Sequence, residues 1–546
     1  MGRHAMLEFS EETFTDTEAA VLGQFFTNLD SPVFGLINLP EVVKGALFAR
    51  YSRSPKSVRR LFLDEFYTQP ELGVELVANH LGGEAARDKA EGLYQRVFSE
   101  YGDDSVAQLG GAHLACEQAS NVLTKILERG RLASYLEQST RYIFYDERLG
   151  ERYRYMTPPE FSEGGLDKTY VDTMEWLFRT YTDVVARLVG YYEERFPKSP
   201  EDSNFVWKST IRAKACDDAR GLLPASALSN VGIFASGQAY EALLMRMRAH
   251  PLAEARTYSD LMLGELRKMI PAFMKRVDVP DRGNAWSAYF AAIARDLDDR
   301  AELLPTPEAR PEVTLVDFDP DAETKIAAAV LYRYASLPDD QILDHVRGLG
   351  ADERAALFAA GVGTRANRRH KPGRGFERAD YRFDILCDYG IFRDLQRHRL
   401  LSLDWQRLTP HHGFVTPDSI ADVGATAVWI EAMEKTATLY EQVLVAHGKD
   451  AAQYVVPFAY KIRFFLQMNA REAFHLLELR TAQGGHPDYR RVCQTMHTLI
   501  REQAGHALVA DAMEYVDYND YALARLEGER RADARRSSAG LTPHSD

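Results

Sequence analysis

The feature that most constrains this chain is that it repeats itself. Arg129-Gly130-Arg131-Leu132-Ala133-Ser134 is answered by Arg397-His398-Arg399-Leu400-Leu401-Ser402. Downstream, Leu223-Pro224 precedes Ala235-Ser236-Gly237-Gln238 and a helical pattern, as Val456-Pro457 precedes Gln467 to Arg471 and another. The order is kept, and the spacing differs mainly by an insertion in the first copy. Two diverged copies of one unit therefore fill the 546 residues, a length already too great for one ordinary core. Between them, about residues 301–321, Pro305, Pro307, Pro311 and Pro320 mix with acidic residues as expected of a linker. The first copy is thus expected over 1–300, with extra N-terminal helices, and the second over 322–526. A charged, then small and polar tail over 527–546 is expected to be disordered.

Helical spacing dominates both copies. Leu61, Phe62, Glu65 and Phe66 share a face, and helices are expected at 85–101, 168–196, 238–274 and from Ala322 onward. Strands interrupt them. Tyr381, Phe383, Ile385 and Cys387 alternate with polar neighbours, as do Tyr460, Ile462, Phe464, Leu466 and Met468. The fold class expected is α+β, helix-rich with small, mainly antiparallel sheets.

Composition excludes several functions. The net charge of −14 opposes general affinity for nucleic acid. No apolar run approaches the ~20 residues needed to span a bilayer, and the N-terminus lacks a signal pattern. Cys116, Cys216, Cys387 and Cys493 show neither CxxC nor zinc spacing and read as free thiols of a reducing cytoplasm. There is no GxxxxGK[ST] loop, GxGxxG or HExxH. His411-His412 reads as a loop pair.

Three segments carry possible chemistry. Arg397, His398 and Arg399 follow a helix expected from Tyr389 and offer several donors to a pyrophosphate or an electron-rich flavin edge. Alone, they better describe a solvated helix end. Ala473, Leu476, Leu477 and Arg480 share one helical face, so Arg480 should point inward toward an anionic or carbonyl partner, or toward Glu472 or Glu478. In an extended segment, Glu137, Ser139 and Arg141 would lie on one side, a possible phosphate and sugar grip or an ordinary strand surface.

Together these residues resemble the flavin-dependent thymidylate synthases. RHRLLS at 397–402 and RGRLASYLEQSTRY at 129–142 each match part of that family's RHRxxSxNxxSxRY signature, and residues 455–480 resemble its later block of strand arginine, Asn-Ala-Arg and Leu-Arg. The resemblance implies two copies of a thymidylate-synthase-complementing-protein-like unit. It implies FAD as cofactor, with NADPH and methylenetetrahydrofolate as cosubstrates for methylation of dUMP at C5. Arg397, His398, Arg399, Asn469 and Arg471 would bind flavin. Arg463 and Arg480 would contact the nucleotide and act electrostatically in catalysis, while Glu137, Ser139 and Arg141 would hold its phosphate and sugar. His486 falls near a histidine that the family places beside the nucleotide.

Each copy departs from the pattern. The first has Gly130 and Leu136 where His and Asn belong, and Gln238 where an arginine is expected. The second has Trp405, Arg407, Thr409 and Pro410 in place of Glu, Ser, Arg and Tyr. The family's upstream GHxxxxEH-like element is reduced to Gly102–Gln108. The defects are complementary and imply one composite site per chain, with Glu137, Ser139 and Arg141 from the first copy and Arg397–Arg399, Arg463 and Arg480 from the second. The family's tetramers imply a homodimer acting as a pseudo-tetramer. A flavoenzyme with a different nucleotide or aromatic substrate, and a non-catalytic nucleotide-binding protein, are the competing readings.

Overall fold

A computed structural model describes residues 13–67 with interruptions, 108, and 110–538 except 142, 163 and 164. The helix expected at 85–101 and most of the 102–108 element lie outside the described residues.

The repeat is visible in the order of elements. In the first copy, strand Gly111–Ser120 leads into helix Asn121–Leu127 and strand Ala133–Glu137. The long helix Asp167–Arg195 follows, then a 3₁₀ turn at Arg220–Leu222, strand Leu228–Ser236 and helix Gly237–Arg248. The second copy runs in the same order: strand Asp380–Asp388, helix Tyr389–Leu395 and strand Ser402–Trp405. Helix Thr426–Ala452, a 3₁₀ turn at Gln453–Val455, strand Lys461–Asn469 and helix Ala470–Arg480 complete it. Helix Asn204–Ala219 is the first copy's insertion. Each sheet places its third strand in the middle, and the described pairings are antiparallel.

The second sheet shows why alternation was informative. Tyr381, Phe383, Ile385 and Cys387 are fully buried, as are Leu466 and, nearly so, Ile462, Phe464 and Met468. Their neighbours on the other face are half-buried. Burying one face fixes the register, since a one-residue slip would turn every apolar side chain outward.

Three local expectations change. Strand Val313–Phe318 joins this sheet beside Asp380–Asp388, so the second sheet begins within the stretch expected to be linker. The strand at Ala133 ends at Glu137, and Ser139 and Arg141 lie in a turn: Ser139 Oγ accepts from the Arg141 amide at 3.2 Å. A hydroxyl that satisfies its own backbone favours turning over pairing. Leu526–Ser538 is helical instead of disordered, because Arg530 reaches the buried Asp202 with both Nε and Nη2, at 2.6 and 3.1 Å.

The chain forms two compact units that cut across the copies. One comprises Met1–Cys116, Leu132–Glu137 and Val231–Leu304; the other Glu117–Arg131, Gln138–Asn230 and Pro305–Asp546. Inside the second unit the duplication is written in hydrogen bonds. Ala225 N donates to Val456 O and Phe458 N to Leu223 O; Ser226 N donates to Tyr454 O and Ala459 N to Gly221 O, all at 2.9–3.0 Å. Each bond has its mate with the copies exchanged, the reciprocity of an isologous dimer contact. Among the described residues no helix is long and apolar enough to cross a membrane.

Candidate active site

The second copy delivers its cationic triplet at a helix end. Asp388 caps helix Tyr389–Leu395 by accepting from Ile391 N at 3.0 Å, and the helix stops at Gln396. The next three side chains divide: Arg397 and Arg399 face solvent while His398 turns inward and is 7% exposed. Helix Ala470–Arg480 starts where Asn469 accepts from Glu472 N at 2.9 Å. From that start, Glu472, Leu476 and Arg480 follow one another at four-residue spacing on one face.

His398 joins the two ends of that face. Arg480 Nε lies 2.9 Å from His398 Nε2, and His398 Nδ1 lies 3.2 Å from Glu472 Oε1. A guanidinium can only donate, so Nε2 accepts and the ring is neutral with its proton on Nδ1. Burial first, and then the Arg480 charge, pull its pKa down to about 4 even though Glu472 opposes them. Burial would raise Glu472, but the histidines bonded to it bring it to about 2. The second of these is His475, 3.3 Å from the same carboxylate. The ligand atoms of His398, Glu472 and His475 lie within 4.8 Å of one another, the spread of a small metal site. A metal on His398 Nδ1 would put the remaining ring proton on Nε2, directly against the Arg480 donor, so the two uses exclude each other.

The first copy brings its own arginine to the same place. Arg141 grips Asp217 with Nε and Nη2, at 2.6 and 2.7 Å, a bidentate geometry. Its guanidinium also lies 5.8 Å from the centre of the Tyr489 ring, and Arg480 approaches that ring to 5.5 Å. Tyr489 is 5% exposed. The first-copy turn and the second-copy helix therefore meet at one buried tyrosine.

Further charges surround it. Burial would raise Asp394, yet Arg141, Arg220, Arg397 and Arg480 together hold it well below the carboxylate range. Asp217 is likewise buried and held low by Arg141 and Arg525. His486 is driven down to about 4 by burial and by Arg220. Arg220 is 3% exposed, and its Nη2 has no hydrogen-bond partner although Asp394 lies 3.5 Å from Nη1. A buried, unsatisfied guanidinium nitrogen is costly unless something anionic fills the space before it. Arg220, Asp217, Asp394 and Tyr489 were not singled out from sequence. The repeat held one signal for the first two, since Asp217 and Arg220 precede Leu223-Pro224 at the spacing of Asp450 and Gln453 before Val456-Pro457.

The other expected residues have partners of their own. Arg463 is bound to Asp384 at 2.6 Å on the half-buried face of the second sheet. It lines a cavity of about 370 Å³ with Arg382, Asp404 and Trp405. Arg471 donates to Pro372 O and lies 3.5 Å from Glu377. Asn469 is the helix cap already described. Glu137 is buried at its strand end, in the other compact unit. His411 pairs with Glu441 on the surface. All four cysteines are free and buried, and burial pushes Cys116 to about 11, Cys216 and Cys493 to about 12, and Cys387 higher still.

Comparison with known proteins fits this duplicated frame. The family model described as thymidylate synthase complementing protein matches twice, over residues 60–272 and 314–505. A UPF0159 protein of Chlamydia pneumoniae is 38% identical over 529 residues, covering 96% of this chain and 99% of the relative. A UPF0159 protein of Thermoplasma acidophilum is 30% identical, covering 90% and 99%. A flavin-dependent thymidylate synthase of Clostridium tetani is 27% identical over 207 residues, or 37% of this chain and 75% of that one. Full-length relatives therefore share the doubled length, and the single-unit relative matches a fraction of it. The chain belongs to the thymidylate synthase complementing protein family and carries that family's domain twice.

Proposed function

We propose that the chain is a flavin-dependent methyltransferase acting on a uridine nucleotide, dUMP or a close relative, at one composite site per chain. The observation that carries this reading is the meeting of Arg141 and Arg480, one from each copy, at Tyr489 beside the unsatisfied Arg220. The arginines named around Asp394 and Asp217 number five against those two carboxylates. Three of them, Arg141, Arg220 and Arg525, are buried and Arg480 is half-buried, so the surplus positive charge there acts through a low dielectric and suits a dianionic phosphate. Arg220 Nη2 is the donor that such a phosphate would satisfy. Arg480 is placed to donate to a carbonyl oxygen of the base, where negative charge would grow during reaction at C5.

The solvent-facing Arg397 and Arg399 fit the diphosphate of FAD. When bound, the flavin would supply reducing equivalents from NADPH and a route for the one-carbon unit of methylenetetrahydrofolate. The cysteines favour flavin chemistry over a thiolate attack on the pyrimidine, since all four are buried and burial raises their pKa values past what the arginines near Cys216, Cys387 and Cys493 offset. In the second copy Arg407 stands at the position of Ser139 and holds Asp450 with Nε and Nη2 at 2.8 and 3.3 Å, so the hydroxyl of Ser139 has no counterpart there.

Purified protein tests the reading directly. It should be yellow with a flavin spectrum, bind dUMP, and release tritium from [5-³H]dUMP when given methylenetetrahydrofolate and NADPH. Flavin with nucleotide binding but no methyl transfer would move the substrate or reaction away from dUMP methylation. Colourless protein that takes up neither added FAD nor uridine nucleotide would sink the proposal.

A further inference from the structure

His398 occupies the place where the family resemblance puts a flavin contact, yet both its ring nitrogens are engaged with protein. Nε2 accepts from Arg480, and Nδ1–H donates to Glu472, which is 4% exposed and also holds His475. The ring is itself buried, while Arg397 and Arg399 on either side face out. An arginine without such an acceptor explores many rotamers, and ordering it on ligand binding opposes affinity. With Nε fixed at His398 and the guanidinium against Tyr489, the two terminal nitrogens of Arg480 form a fork already set in place.

We infer that His398 is a positioning residue for Arg480, acting on the nucleotide through the guanidinium it orients and not by touching the flavin. The inference rests on the reading of Arg480 as a nucleotide contact.

The first copy supplies an independent observation. Aligned on the helix caps Ser236 and Asn469, the counterparts of Glu472, His475 and Arg480 are Ala239, Ala242 and Met247, and that of His398 is Gly130. All four members of the relay are replaced by residues that neither donate nor accept through a side chain. Arg129 and Arg131 keep the two arginines of the triplet, so the histidine is lost with the carboxylate and arginine of the relay and not with its sequence neighbours. A hydrogen-bonded unit whose purpose is to aim the arginine would be lost as a whole.

The test uses the purified flavin-loaded chain with two substitutions. His398→Gln keeps an acceptor for Arg480 and a donor for Glu472, whereas His398→Ala keeps neither. Flavin content and dUMP affinity are measured for each. His398→Ala should bind dUMP about tenfold more weakly with flavin content unchanged, and His398→Gln should recover most of that loss. Flavin loss in His398→Ala with dUMP affinity intact would overturn the inference, as would failure of Gln to rescue. The ¹⁵N shifts of the His398 ring in the unsubstituted protein give a second readout that needs no variant to fold. They should report a neutral ring protonated at Nδ1, and an Nε2-protonated ring would overturn the inference. Absence of dUMP binding in the unsubstituted protein would instead fail the functional reading, and the ring shifts would still decide how His398 is held.

Discussion

The short helices Asn121–Leu127 and Tyr389–Leu395 are the same element in the two copies, and they treat charge differently. In the first, Lys125 is bonded to Glu128 at 2.7 Å, with side chains 1% and 4% exposed. The positive charge is met by the carboxylate one turn away. In the second, Arg393 and Gln396 take those positions; Arg393 donates to Thr140 of the first copy and Gln396 to Lys125 O. Beyond the helix, Arg129 is bound to Asp404 and lies 5.5 Å from the Trp405 ring, and Arg131 donates to Ser402. At these positions the first copy closes its helix end with an internal pair and the second reaches across; past the helix, the first copy's Arg129 and Arg131 reach across as well. In the proposed reading, duplication frees each copy from carrying a whole site, and the two divide one between them.

The comparison breaks most easily at its arginines. Arg480→Ala and Arg141→Ala should each weaken dUMP binding by about a hundredfold or more, although they belong to different copies. Arg129→Ala, past the closed helix end, should change dUMP affinity less than threefold. Isothermal titration distinguishes these outcomes, and a large effect from Arg129 would erase the asymmetry. Arg141→Ala also leaves Asp217 without its main partner, for an expected loss of roughly 3–5 kcal/mol in stability by denaturant unfolding.

Glu128→Gln sharpens the other half of the comparison. Removing the carboxylate from a lysine 1% exposed should cost roughly 3 kcal/mol in stability while leaving flavin and nucleotide binding intact. A loss of binding at unchanged stability would mean that the closed end still serves the site.

pH dependence probes the relay. His398 titrates at about 4 in the native state against an ordinary 6.5, so between those values the unfolded chain takes up a proton that the native chain does not. Its stabilising contribution is complete above about 6.5 and falls as pH drops toward 4. His486 acts in the same sense, and Asp388, raised by burial to about 7, opposes it as pH rises toward 7. The unsubstituted protein and His398→Gln share those other groups. The stability gap between them should therefore shrink by on the order of 2 kcal/mol from pH 7 to pH 4.5, read by urea unfolding. A gap independent of pH would mean that His398 is not held neutral.

The smallest effect belongs to the terminal helix. Arg530 is partly exposed, so Arg530→Ala should leave global stability nearly unchanged while increasing protease cleavage after residue 526.

Much of the frame was legible because burial of one sheet face writes itself as alternation, as at Tyr381–Cys387 and Ile462–Met468. The inward direction of Arg480 was legible from its place in an apolar stripe. Its partner was not, since His398 lies 82 residues away and neither proposed glutamate receives it. Glu478 instead holds the buried Arg365, and Glu472 holds the histidines. Ser139 and Arg141 were found by motif but placed in a strand, because alternation cannot show that a serine will satisfy its own turn. Asp217, Arg220, Asp394 and Tyr489 matter only through the charges around them, which come from segments hundreds of residues apart. The tail helix is tied by Arg530 to Asp202 and by Asp533 to Ser203, contacts that local composition does not reveal.

The central claim is that two copies share one site, and counting bound nucleotides tests it most directly. Titration of the flavin-loaded protein with dUMP should saturate at one nucleotide per chain, with Arg141→Ala and Arg480→Ala each abolishing that same binding event. Saturation at two per chain, or loss of only half the binding in either variant, would contradict it.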